Sequence, residues 1–174
     1  MSKLVTMVGA IGMVLAVGTG SARAEPKISA TFSPLHLILP VVEVNVEASV
    51  APKVGVAGIL GVGRVSEDNP PLTATVVEGG LQGMYYFFRP FSGLHAGVEA
   101  IYLHLGNVDV DSSVTAAGLA AGPFVGWKFL THIGFTAVVQ LGIEFSLVHA
   151  DGNSGTAKRR DVNPLLNINF GWSF

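Results

Sequence analysis

The chain closes on Leu166-Asn167-Ile168-Asn169-Phe170-Gly171-Trp172-Ser173-Phe174. Its even-numbered positions carry large apolar side chains and its odd-numbered positions small or polar ones. A period of two is that of an extended strand, whose successive side chains point to opposite faces. A helix would scatter the same residues around its axis. This stretch therefore sets the expectation of a β-structure with one oily face and one polar face.

The pattern recurs upstream. Ile133, Phe135, Ala137, Val139, Leu141, Ile143, Phe145 and Leu147 share one face, against Gly134, Thr136, Val138, Gln140, Gly142, Glu144 and Ser146. The same alternation runs through Val42–Ala48, Val54–Gly63, Val77–Phe87, Leu94–Tyr102 and Ala117–Trp127. Single-chain bacterial barrels have even strand numbers, so an eighth strand is expected over Ile28–Ile38, ending before Pro40. The parity slips between Leu35–Leu39 and Val42–Val46, and a bulge or an inward-folded segment is the alternative there. Ala48–Pro52, Arg89–Gly93 and Lys128–His132 read as short turns. Ser66–Ala74, Gly106–Ser113 and Ala150–Asp161 read as longer polar loops. The expected fold is all-β: an up-and-down antiparallel transmembrane barrel of eight strands.

Composition points the same way. The 174 residues allow one domain, and 49% are hydrophobic, 22 are Gly and 13% are charged, against the roughly 25% charge of soluble domains. Residues 1–24 read as a cleaved signal peptide, with Lys3, an apolar core over Leu4–Val17 and the small-residue tail Ala22-Arg23-Ala24. That core of 14 residues is short of the roughly 20 a spanning helix needs, which argues against an uncleaved anchor. Residues 25–174 are then the barrel domain. Removing Lys3 and Arg23 leaves 8 basic against 12 acidic residues, a balance that suggests no nucleic-acid partner. Without Cys there is neither a disulfide framework nor thiolate chemistry. The longest apolar-plus-Gly run downstream, Ala116–Trp127, spans 12 residues and contains Gly118, Gly122, Pro123 and Gly126, which oppose a helix.

All five strand glutamates, Glu43, Glu47, Glu78, Glu99 and Glu144, have the parity opposite the apolar face. Lys53, Arg89 and Lys128 are placed in or beside turns and Arg64 at a strand end. A Lys or Arg facing lipid at mid-depth costs about 2–4 kcal/mol, and Glu less; segregating the acids avoids that cost. A secreted soluble β-sandwich or lipocalin-like barrel also alternates, but its solvated face normally carries Lys and Arg. Tyr85, Phe87, Phe91, Trp127, Phe129, Phe135, Trp172 and Phe174 cluster toward the short turns, as an interfacial girdle would.

In its signal peptide, its alternating strands and its terminal Phe174, the chain resembles the small outer-membrane β-barrel families that include OmpA- and OmpX-type barrels. The likeness covers nearly all of residues 27–174 and is architectural, with no functional motif matched. It implies a bacterial outer membrane, surroundings of lipid bilayer and lipopolysaccharide, a monomer, and an assembly machinery that reads Phe170, Trp172 and Phe174.

Glu43, Glu47, Glu78, Gln82, Glu99, Gln140 and Glu144, with Asn45, His95, Asn167 and Asn169, form an expected luminal polar network. Small luminal residues (Gly55, Ala57, Gly61, Gly118, Ala120, Gly122 and Gly126) leave room for a narrow cation-preferring path as an alternative. Arg64 and Lys158-Arg159-Arg160 could fold inward onto the glutamates. The basic run could also touch anionic lipid headgroups, or be ordinary solvated loop charge. A lipid-modifying enzyme is the rival class, since His104 and His149 have outward parity with Ser112, Ser113 and Asp151 near in sequence. No spacing reproduces a nucleophile–base motif. Asp109 and Asp111 are too few for a Ca²⁺ site. His36 and His132 read as interfacial or turn residues, and the five His show no metal-ligand spacing. The expected function is structural or surface-interacting, without catalysis, cofactor or metal. Deleting Phe174 should impair assembly; a normal yield of membrane-inserted, heat-modifiable protein would contradict that reading.

Overall fold

A computed structural model describes residues 26–38, 41–68, 71–107, 115–152 and 155–174; residues 1–24, read above as a signal peptide, lie outside these. Among the described residues eight strands run in order: β1 (Ile28–Phe32), β2 (Val41–Ala51), β3 (Val54–Asp68), β4 (Pro71–Tyr86), β5 (Gly93–Asn107), β6 (Thr115–Leu130), β7 (Phe135–Gly152) and β8 (Gly155–Ser173). Each pairs antiparallel with the next, and β8 pairs with β1 to close an up-and-down barrel. The seam is fastened at the chain end, where Lys27 N donates to Phe174 O (2.7 Å) and Phe174 N donates to Ile28 O (2.8 Å).

The alternation read from the sequence sorts inside from outside. On β2, Val42, Val44 and Val46 are exposed while Glu43, Asn45 and Glu47 are buried. Leu81, Val98, Val125, Leu141 and Phe145 are likewise exposed on their own strands. Among the described residues more large apolar side chains lie on the outside of this barrel than in its interior.

Three expectations change. The first strand stops at Phe32 rather than running to Ile38. Pro34 has no N–H to give the ladder, and Leu37 N and Ile38 N instead bond Pro34 O and Leu35 O in a 3-10 turn over His36–Ile38. That turn absorbs the parity slip. Second, two of the expected long loops are strand: β3 and β4 stay paired to Asp68↔Pro71, and β7 and β8 to Gly152↔Gly155. Polar residues are no obstacle to pairing where both faces of a hairpin meet water. Lys158, Arg159 and Arg160 therefore sit on β8. Third, Phe91 is 3% exposed and turned inward. Its positive φ of 57° bends the turn between β4 and β5 back under the barrel, which removes it from the aromatic girdle. The other seven girdle residues lie on the outside, with Trp172 Nε1 donating to Ile133 O (3.1 Å).

The three short turns, Lys27 and Phe174 share one rim, here the lower. Gly171 lies at the β1–β8 seam, where a Cβ would fall against Ala30 O and Thr31 Cα. Gly171→Val should therefore destabilise closure by about 1–3 kcal/mol, measured as a lower temperature for the shift from folded to unfolded band on a gel.

Candidate functional site

The candidate site is the lumen. Glu43, Glu47, Glu78, Gln82, Glu99 and Gln140 are each buried, and Glu144 is half-buried. Strand register brings them together in three layers.

The lowest layer centres on an ion pair between Lys128 Nζ and Glu47 Oε2 at 2.6 Å. Tyr86 Oη donates to Glu47 Oε1 (2.6 Å), and the Lys128 ammonium lies 3.4 Å from the centroid of the Phe91 ring. Lys128 is thus a luminal residue and not a turn residue. Its parity is that of Gly122 and Gly126, on the inward face of β6. Tyr86, Phe91, Phe124, Met84, Ala57 and Leu165 pack as an apolar cluster among these polar groups.

In the middle layer Gln82 Nε2 donates to Glu99 Oε2 and, at 3.3 Å, to Gln140 Oε1. Asn167 Nδ2 lies 3.2 Å from each of the same two oxygens. His95, fully buried, stands 3.4 Å from Gln140 Nε2. Four strands are tied through the Glu99 carboxylate and three amides, so every partner restrains the others. The cavity between Asn45, Gln82, Met84 and Gln140 is about 20 Å³, room for roughly one water.

The upper layer holds Glu43, Glu78 and His36. His36 Nδ1 is 3.2 Å from Glu43 Oε2 and 2.9 Å from Ser33 Oγ, and Asn45 Nδ2 donates to Glu43 Oε1 (3.2 Å). Above it, Asn163 Nδ2 donates to Ser146 Oγ (3.1 Å) near Glu144.

Three luminal glycines expected to leave space are covered instead. The Glu47 carboxylate and the Tyr86 ring lie over Gly55, and the Glu78 carboxylate lies over Gly61. A missing Cβ on one strand is where the longer side chain of its neighbour rests. Gly126 is covered likewise, by His95 and Gln140.

The basic residues do not fold onto the glutamates. Arg64, Lys158 and Arg160 are exposed with outward parity, and Arg159 Nε pairs with Asp161 Oδ2 at 2.6 Å. His104 and His149 also face outward, with Ala117 between them in the ladder. Asp151 is opposite Thr115 and Thr156. Asp109, Asp111, Ser112 and Ser113 lie outside the described residues. His132 lies in the turn between β6 and β7.

No protein-family model matches the sequence, and no curated protein matches it. What the geometry defines is a class: an eight-stranded, all-antiparallel closed barrel with a hydrogen-bonded polar interior.

The Lys128–Glu47 pair is a test of how far that interior is interlocked. Lys128→Met should leave a buried carboxylate without its cation and cost about 3–5 kcal/mol in urea unfolding of the folded barrel. Adding Glu47→Gln should restore much of the loss.

Proposed function

We propose that this protein spans a bacterial outer membrane as a barrel filled by its own side chains, and serves there as a structural or surface-interaction element without catalysis. One observation carries the reading: the outward face is an unbroken apolar band. Going up β3 it reads Val54, Val56, Gly58, Leu60 and Val62 before Arg64. Going up β5 it reads Leu94, Ala96, Val98, Ala100 and Tyr102 before His104. On β8 it runs upward from Trp172 through Phe170, Ile168, Leu166, Pro164 and Val162 to Arg160 and Lys158. A strand rising about 3.3 Å per residue and tilted about 40° climbs ~2.5 Å per residue, so ten residues from Val54 to Arg64 span ~25 Å, the height of a barrel's lipid band.

The two borders of the band suit the two interfaces. Tyr85, Trp127, Phe129, Phe135 and Trp172 ring the lower rim, where amphipathic rings favour the headgroup level. Arg64, Lys158 and Arg160 stand at the upper border, positioned to meet the anionic groups of lipid or lipopolysaccharide. An exposed apolar surface of this extent in water would drive association.

Two other readings draw less support. A cation path would have to pass the lower plug of Lys128, Tyr86 and Phe91 and the amide layer above it, where the cavity holds about 20 Å³. Lipid chemistry would need an activated nucleophile, and among the described residues neither His104 nor His149 hydrogen-bonds a hydroxyl or a carboxylate.

Leu81, 65% exposed in the middle of the band, offers the test. Leu81→Arg should lower the stability of the barrel in lipid vesicles by about 2–4 kcal/mol. Equal folding of variant and parent, or a parent chain that stays monomeric in buffer without detergent, would sink the membrane reading. In planar bilayers the parent should show no conductance steps, and steady unitary currents would favour the channel instead.

A further inference from the structure

The upper layer differs from the two below it. In the lower layer the Glu47 carboxylate has a lysine and a phenol, and in the middle layer Glu99 has two amide donors. Glu43 and Glu78 have no such complement. Both are buried, at 3% and 7% exposure, and among the described residues neither is paired with a Lys or Arg. Glu78 Oε1 and Asn45 Oδ1 are buried without any hydrogen-bond partner. Two facing carboxylates and orphaned acceptors are costly in a dry interior unless a cation or donor meets them.

The third group at this place is an imidazole. One ligand atom from each of His36, Glu43 and Glu78 lies within 4.8 Å of the other two. The closest pair, His36 Nδ1 and Glu43 Oε2, is 3.2 Å apart, near the ~3.4 Å edge of a tetrahedron with bonds of about 2.1 Å. Gly61 makes the arrangement possible, because Glu78 reaches toward Glu43 through the space a Cβ would occupy. Asn45 holds the other oxygen of Glu43. Ser33 Oγ also lies 3.4 Å from Ile168 O, so its proton can go there and leave the lone pair of His36 Nδ1 free.

We propose that His36, Glu43 and Glu78 form a binding site for a divalent transition-metal ion such as Zn²⁺ at the upper mouth of the barrel. Two carboxylates neutralise the ion, the imidazole selects it over Ca²⁺ and Mg²⁺, and the part-exposed His36 leaves its fourth position open to the mouth. Spacing along the chain does not reveal the site, because its three ligands come from the 3-10 turn, β2 and β4. It does not depend on the membrane reading.

The test is metal retention by the refolded, chelator-stripped full barrel. After equilibration with Zn²⁺ and desalting, elemental analysis should find about one Zn²⁺ per chain, with titration calorimetry supplying the affinity. His36→Ala and Glu78→Gln should each weaken binding at least ten-fold. Gly61→Ala keeps all three ligands and should weaken it as well, by displacing Glu78. His104→Ala should bind as the parent does. The proposal is overturned if the parent retains no Zn²⁺. It is equally overturned if folded, heat-modifiable His36→Ala protein binds Zn²⁺ as tightly as the parent, which would reduce the site to a carboxylate pair.

Discussion

The pairing of β8 with β1 is the interaction on which the other features rest. A sheet with free edges leaves two rows of backbone donors and acceptors without partners, and in a hydrocarbon setting each unsatisfied group costs several kcal/mol. Four residues of β1, Ser29 to Phe32, register against Ser173 to Phe170, and the bonds from Lys27 and Phe174 finish the seam. Once the ring is closed an inside exists. Side chains of one parity are then forced into a space that in an eight-stranded barrel is about as wide as the side chains that fill it. Everything found in the lumen follows from that compression.

Compression explains why small and long residues alternate there. Glu47 lies over Gly55 and Glu78 over Gly61, so each long acid uses the volume its neighbour lacks. Charge must be matched inside as well as volume. Glu47 is answered by Lys128 and Tyr86, and Glu99 by Gln82 and Asn167. Among the described residues Glu43 meets only His36 and Asn45, and Glu78 Oε1 meets no donor. The imbalance of charge at this end of the interior is the physical basis for assigning a cation there.

Outside, the same parity rule produces the opposite surface. The band from the lower aromatic ring up to Arg64, His104, His149 and Arg160 carries no charged side chain on the described strands. In the proposed membrane setting that band is the solvated surface, and the hairpins β3–β4 and β7–β8 extend above it. The polar composition that reads as loop in Ser66–Ala74 and Ala150–Asp161 is therefore the composition of strands that have left the apolar layer.

The sequence by itself determined the strands from Val42 onward, their order, and which face of each is oily, because a period of two needs only the local alternation of side chains. It also told apart the inward acids from the outward aliphatics. The end of β1 was less legible, since Pro34 and a 3-10 turn interrupt the alternation there. Lys128 and Phe91 are not legible in the same way: Lys128 has inward parity but stands beside a turn, where charge is ordinary, and the inward bend of Phe91 at positive φ has no local signature. Only the tertiary structure decided which luminal groups meet. Glu47 and Lys128 are 81 residues apart, and alternation reports the face a side chain occupies but not its height around a closed, tilted ring. That height is fixed by the stagger of eight strands pairing at once, and with it the contacts of His36, Glu43 and Glu78.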